Sequence, residues 1–200
     1  MVKKYKGDFG YIEYRKKFGM IRTGIFLGIV IVIFVAGLII FKSQKNFLSI
    51  IAALLCLPTG WSAVNLIMFL RYKGCSDSAH EEIEYHKGEL LIHYDHLITS
   101  YDKNFPVAAS TVLDKNIICF NESGNYDEAD LEAHIKKMLA QNGYSSYSIK
   151  VFDKLDKFIG RLDELEKLRQ AKRLDPAAIE DAWVPGKVQT PAGILLSISL

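Results

Sequence analysis

Histidines and carboxylates concentrate in one short segment, and these are the side chains with the clearest capacity for chemistry. Four of the chain's 5 histidines fall between residues 80 and 96. If this segment is one helix, five side chains lie in a sector about 80° wide at 100° per residue: Glu82, His86, Glu89, His93 and His96. Such a face could bind a divalent metal or sense pH. A solvated, His-rich helix face is the competing interpretation.

Other motifs for catalysis or cofactor binding are lacking in the sequence. It contains no G-x-S-x-G nucleophile elbow and no glycine-rich phosphate loop. Cys56, Cys75 and Cys119 are too far apart for a CxxC metal site or a disulfide framework. Cys119 also falls in an apolar run, where a thiol is usually part of the core. We therefore predict no cofactor and favour a protein without catalytic activity over an enzyme.

Two long apolar segments near the N-terminus are the most prominent structural feature of the sequence. Residues 23–41 and residues 46–70 contain no Asp, Glu, Lys, Arg or His. About 20 apolar residues cross a hydrocarbon core of roughly 30 Å, and a small domain has no room to bury two helices that are apolar all round. The sequence predicts a transmembrane hairpin over residues 23–70, with spans at about 23–41 and 47–70.

Positive charge predicts the orientation of this hairpin. Most of the cations outside the later domain precede the first span: Lys3, Lys4, Lys6, Arg15, Lys16, Lys17 and Arg22. The loop between the spans carries only Lys42 and Lys45. Short segments rich in Lys and Arg stay in the cytoplasm, so we predict a two-span protein of the cell membrane with both termini cytoplasmic. The basic-aromatic arm, residues 1–22, also suits anionic headgroups.

Two local features of the predicted spans suggest how they pack. Gly24 and Gly28 have GxxxG spacing, which permits close approach of the second span or of another copy. Pro58 cannot donate to the Leu54 carbonyl, so the second span should kink near its middle. With Asn65 nearby, this region could instead hold a mid-membrane ligand or contact a transporter, but plain helix packing is the favoured interpretation.

Periodicity predicts an α+β (or small α/β) domain over residues 71–174, with about three strands and three helices. A capping-box spacing starts a helix near residue 78, and its apolar stripe extends through Leu90, Leu91, Tyr94, Leu97, Ile98 and Tyr101. Apolar runs over 105–113 and 116–120 predict a β-hairpin. A helix from Asp127 to Asn142, a strand over 144–152 and a helix over 153–173 follow.

The hairpin, helix and strand in this order resemble the layout of nuclease-like α/β folds. Such a fold would carry a metal-binding acid followed, on the next strand, by an acid-x-Lys element. Asp114 falls in the predicted turn instead, and residues 116–120 hold no such triplet. Residues 71–200 also carry 16 Lys and Arg against 21 Asp and Glu. The acidic balance argues against nucleic acid as a partner.

The tail, residues 175–200, contains several Pro and Gly residues and is expected to be mostly irregular. Residues 178–183 could form a helical turn or two, and residues 194–200 could add an edge strand or dock on the core. The sequence as a whole predicts a membrane-tethered cytoplasmic interaction or assembly module. Its partners would be the lipid bilayer and either another protein or further copies, bound through the spans or the 153–173 helix. The alternatives are a metal- or pH-responsive sensor or enzyme, and a transporter accessory subunit.

Overall fold

A computed structural model describes residues 3–43, 46–181 and 189–200 of the chain. The chain divides into two compact units. One is continuous, Ile12–Lys73. The other combines the residues up to Tyr11 with Gly74–Leu200. The domain therefore includes part of the predicted N-terminal arm, and the continuous unit is inserted within it.

The inserted unit consists of two long antiparallel helices, α1 (Tyr11–Phe41) and α2 (Phe47–Leu70). Both are long and apolar enough, by length and composition, to cross a membrane. Helix α1 begins well before the predicted span, because the basic residues that precede the span are good helix formers. Asn46 caps α2 by accepting a hydrogen bond from the Ser49 N–H at 2.8 Å.

A four-stranded sheet with helices on both faces forms the second unit, which is an α+β fold. Its elements are α3 (Asp77–His86), β1 (His93–Thr99), β2 (Asn104–Leu113), β3 (Asn116–Phe120), α4 (Glu128–Gln141), β4 (Ser148–Phe152), α5 (Leu155–Lys172), α6 (Pro176–Asp181) and α7 (Pro191–Ser197). The strands lie in the order β1-β2-β3-β4. The first three are antiparallel, and β4 is parallel to β3 because α4 carries the chain back across the sheet.

Two hydrophobic clusters on opposite faces of the sheet hold the layers together. One contains Leu131, Ile135 and Leu139 of α4 with Ile194 and Leu195 of α7. The other contains Ala79 and Ile83 of α3 with Phe158, Leu162 and Leu165 of α5. Strands β2 and β3 supply residues to both clusters, so they are buried on both faces.

The predicted β-hairpin and the two later helices are confirmed. Strands β2 and β3 meet at a turn where Asp114 has φ +54°. Asp127 caps α4 through a hydrogen bond to the Ala129 N–H, and Gly143 follows the helix with φ +78°. Helix α5 covers nearly all of the predicted 153–173 range. The fourth strand, β1, was not predicted.

The predicted helix from residue 78 to Tyr101 is wrong beyond His86. Helix α3 stops there, and Gly88 turns the chain with φ +55°, a conformation that favours glycine. Residues 93–99 then pair with β2 as strand β1. The central residues of this strand are buried on both faces, so its apolar residues follow no two-residue alternation that sequence periodicity can detect.

The tail is more regular than expected. Helix α6 covers the described part of the predicted helical turn, and Trp183 lies outside the described residues. Residues 191–197 form α7, which Thr190 caps by accepting the Gly193 N–H. Docking on the core is confirmed, since Ile194 and Leu195 are almost fully buried. The alternative of an edge strand holds for the last residues alone, where Ser199 forms an antiparallel bridge with Ile98 of β1.

Candidate functional site

Both ends of the chain line the outer edge of β1. The hydrogen bonds of this contact include Tyr94 N–H to the Gly7 carbonyl at 2.8 Å, Thr99 N–H to the Ile198 carbonyl at 3.0 Å, Leu200 N–H to the Leu97 carbonyl at 3.0 Å, and Lys6 Nζ to the Ser199 carbonyl at 2.7 Å. The first three satisfy backbone groups of an edge strand that would otherwise be open. The fourth joins the two chain ends. We call these residues, 6–7 and 198–200, the terminal clamp.

His96 lies beneath the terminal clamp and is only 2% exposed. Its Nδ1 is 3.5 Å from Ser199 Oγ, while Nε2 has no hydrogen-bond partner among the described residues. The pKa of His96 is lowered to about 3, mainly by burial and secondarily by electrostatic interaction with His93 and Lys6, while the His93 carbonyl opposes the shift. The imidazole is therefore neutral at physiological pH.

His93 connects His96 to α6. We call Lys6, His93, His96, Glu180 and Ser199 the histidine cluster. Its Nε2 lies 2.8 Å and 3.0 Å from the two carboxylate oxygens of Glu180, and its ring centroid is 6.1 Å from that of His96. The His93–Glu180 contact is mostly buried. The site therefore combines side chains from the N-terminal arm, β1, α6 and the C-terminus.

The cluster does not have the geometry of a nucleophilic triad. Glu180 binds His93, whereas Ser199 lies beside His96. Ser199 Oγ donates its hydrogen to the Leu195 carbonyl at 2.7 Å, so it has no proton directed at the imidazole. The arrangement supports a response to pH. The buried neutral His96 does not take up a proton while the domain is closed, and it can do so once its surroundings open.

A second unusual group, Asp95, follows Tyr94 on the same strand. It has φ +55° in the middle of β1 and is 2% exposed, and such positions are sparsely populated outside glycine. Its Oδ1 accepts the Cys75 N–H at 2.7 Å. A Cβ on Gly74 would lie only 2.6 Å from the same carboxylate. Neighbouring residues of β1 thus bind the segments on either side of the inserted unit, at Gly7 and at Cys75.

The five residues predicted to share one helix face are divided between α3, the segment that follows it and β1. Glu82 is exposed on α3, and His86 Nδ1 is 3.1 Å from Asp163 on α5. Glu89, between α3 and β1, pairs with Arg169 at 2.7 Å. His93 and His96 are on β1. The single face is wrong because the helix ends at His86.

Across the described ranges, no three His, Cys, Asp or Glu side chains converge in a way that could hold a metal. The metal site stays a prediction. The shared helix face on which that prediction depended is not present in the fold. Sequence reasoning also missed four residues of the two clusters: Lys6, Asp95, Glu180 and Ser199. Only Asp95 had a detectable signal, as a lone carboxylate within an apolar run. The others are brought in by chain segments far from β1 in sequence.

Gly7→Ala is expected to release the N-terminal half of the terminal clamp. Gly7 has φ +94°, and a Cβ there would lie 2.9 Å from His93 Nδ1. Strain of about 1–3 kcal/mol corresponds to roughly a 5- to 150-fold rise in clamp opening. Limited trypsin digestion after Lys3, Lys4 and Lys6 measures this opening.

Gly10→Ala is the matched control for this variant. Gly10 also has positive φ, but within residues 3–43, 46–181 and 189–200 a Cβ there would meet only the flexible Lys4 side chain. We expect a smaller increase in cleavage for this variant. Equal cleavage rates for Gly7→Ala and the unmodified chain would show that the arm is not held as described.

The chain matches no protein-family model, no curated protein sequence and no solved structure.

Proposed function

We propose that this chain is a membrane-tethered interaction or assembly module, in which the α1–α2 hairpin anchors the α+β domain at the cytoplasmic face of the membrane. The observation that carries this proposal is the insertion of the hairpin into the domain. Gly7 before the hairpin and Cys75 after it are bound by adjacent residues of β1. Both ends of the hairpin then lie on one side of the membrane, and the basic residues before α1 favour the cytoplasmic side.

The surroundings of Cys75 and Cys119 argue against catalysis by either thiol. Cys119 is fully buried, and burial raises the pKa of its thiol to about 12. The pKa of Cys75 is also raised to about 12, by burial and then by the negative charges of Glu122, Asp95 and Asp77. Thiols in such surroundings are poor nucleophiles.

The spans are a better candidate than α5 for self-association. Among the described residues, a Cβ on Gly24 or Gly28 would meet no atom within 4 Å beyond its own stretch of helix, so this GxxxG face does not serve the contact with α2 and is open to another hairpin. In contrast, Phe158, Leu162 and Leu165 of α5 are already committed to the domain core. A coiled coil through α5 would have to expose that core.

Cysteine labelling tests the tether. Single cysteines at Tyr5, Ser43 and Tyr101, in a Cys56→Ser background, are treated with a membrane-impermeant maleimide in intact cells. Tyr5 is 63% exposed and Tyr101 is fully exposed, so both positions should label after lysis. We expect labelling of the Ser43 variant in intact cells, and of the other two only after lysis. If the reagent labels only one of Tyr5→Cys and Tyr101→Cys in intact cells, the N-terminal arm and the domain do not lie on the same side of the membrane.

Replacing the two open glycines tests assembly through α1. Gly24→Leu/Gly28→Leu should reduce the oligomer fraction of the full chain in detergent at least about tenfold, measured by native mass spectrometry, because bulky residues prevent close helix approach. Gly60→Leu is the matched control, since a Cβ on Gly60 likewise meets nothing within 4 Å in the described part of the chain. A monomeric parent, or equal loss in the control, would contradict assembly through this face.

A pH-responsive module is the second candidate, and the buried neutral His96 beneath the terminal clamp favours it. The transporter alternative has less support. The Asn65 side chain donates to the Trp61 carbonyl, and the Thr59 hydroxyl donates to the Leu55 carbonyl. These polar groups of α2 are thus satisfied within their own helix.

A further inference from the structure

The two helices of the hairpin pair in a register that is offset from their apolar segments. Arg22 Nε donates to Ser62 Oγ at 3.0 Å, and the Arg15 guanidinium lies 5.1 Å from the Phe69 ring centroid. At the other end, a Cβ on Gly37 would lie 3.0 Å from Leu48 Cβ. The apolar part of α1, residues 23–41, therefore faces the part of α2 that ends near Ser62. Residues 62–70 instead face the basic turns of α1.

This offset forces a choice about where the hydrocarbon region ends. Immersing all of α2 would also immerse Arg15, Lys16, Lys17 and Arg22, and a cation is among the costliest side chains to place in hydrocarbon, most of all at the bilayer centre. Immersing one apolar residue of segment 62–70 gains several times less free energy than immersing one cation costs. The cost of immersing the cations therefore sets where the hydrocarbon region ends along the hairpin. Residues 23–41 span about 28 Å at 1.5 Å per residue, which matches the hydrocarbon core.

We propose that the hydrocarbon core ends at the level of Arg22 and Trp61, and that Arg22 binds the phosphate of an anionic phospholipid there. This inference rests on the proposed membrane tether. Trp61 is 75% exposed on the hairpin surface, and tryptophan is enriched at the membrane interface, where its ring is apolar and its N–H can be hydrated.

The surroundings of Arg22 orient its guanidinium for this contact. Ser62 is 2% exposed and binds Arg22 Nε, and its Oγ is also 2.8 Å from Thr23 Oγ1. Within the described residues, neither Nη group of Arg22 has a hydrogen-bond partner. A planar guanidinium held at Nε and open at both Nη groups suits two-point binding of a phosphate.

The proposed boundary changes the interpretation of Pro58. The sequence alone suggested a kink, and a possible ligand site, near mid-membrane. With the boundary near Ser62, Pro58 lies about one helical turn inside the hydrocarbon region. The Thr59 hydroxyl donates to the Leu55 carbonyl at 2.8 Å, one residue beyond the Leu54 carbonyl to which Pro58 cannot donate.

Depth-dependent fluorescence quenching tests the boundary. The full chain with Trp183→Phe, in which Trp61 is the only tryptophan of the original 2, is reconstituted in vesicles containing lipids brominated either near the headgroup or near the chain end. We expect at least twofold stronger quenching by the shallow bromines. Stronger quenching by the deep bromines would overturn the boundary. Failure of the chain to float with the vesicles would instead overturn the membrane tether itself.

Lipid retention tests the phosphate contact at Arg22. Native mass spectrometry of the full chain, titrated with phosphatidylglycerol in detergent, gives the apparent affinity for the first bound lipid. Losing a charge-assisted hydrogen bond of about 1.5–3 kcal/mol should weaken this affinity by roughly tenfold or more in Arg22→Gln. Arg22→Lys keeps the charge but not the planar fork, so we expect an intermediate loss.

Lys17→Gln is the matched control, because Lys17 is an exposed cation on the same helix. It removes the same charge and should change the affinity less than twofold. Equal weakening by Arg22→Gln and Lys17→Gln would show diffuse charge attraction and overturn the specific contact. Displacement of the lipid by inorganic phosphate at equal concentration would overturn the assignment to a phospholipid.

Discussion

Lowering the pH from 7 to 5 is expected to destabilise the domain by about 2 kcal/mol through His96 alone. The unfolded chain binds a proton at this residue with a pKa near 6.5, whereas in the folded domain the pKa is lowered to about 3. The contribution of neutral His96 to stability is therefore fully present above pH 6.5. It is lost progressively as the pH falls towards 3.

Thermal unfolding of the full chain in detergent at pH 7 and pH 5 measures this effect. The expected loss corresponds to a Tm decrease on the order of 5–10 °C, and His96→Gln should remove most of this decrease whatever its effect at pH 7. His134→Gln is the control, since burial also lowers the pKa of His134 but that residue is only half-buried. An unchanged pH dependence in His96→Gln would contradict the assignment.

Phe158→Ala is expected to reduce the free energy of unfolding of the domain by about 3–5 kcal/mol. Phe158 is 0% exposed. Its ring centroid lies 5.6 Å from that of Phe120 and 6.3 Å from that of Phe152, so it holds α5 against both β3 and β4. Truncation removes the transfer free energy of the ring and leaves a cavity that the flanking strands cannot easily fill.

Chemical denaturation of the full chain, followed by the circular dichroism of the domain, measures this loss. Phe158→Leu, which keeps an apolar side chain in the cavity, should cost distinctly less than Phe158→Ala. Tyr85→Ala is the surface control, because Tyr85 is 85% exposed, and it should change stability by no more than about 0.5 kcal/mol. A Phe158→Ala loss below about 1 kcal/mol would show that α5 is not held by this contact.

Elements with strong local signals were predictable from the sequence. The β2–β3 hairpin has a short polar turn at Asp114, and α4 has a capping Asp127 and a terminating Gly143. Each of these signals acts within a few residues. The two long helices were predictable for a different reason. An uninterrupted apolar segment of about 20 residues has few alternatives to a helix buried in lipid or protein.

The sequence by itself therefore determined the two long apolar helices, the β-hairpin and helices α4 and α5. Only the tertiary structure decided that residues 93–99 form a strand, because their hydrogen bonds come from β2, Gly7 and residues 198–200. The same long-range pairing brings Glu180 and Ser199 to the two histidines of β1. The contacts of β1 with Gly7, Glu180 and residues 198–200 join residues about 90 to 100 positions apart, and such distant pairings leave no local pattern in the sequence.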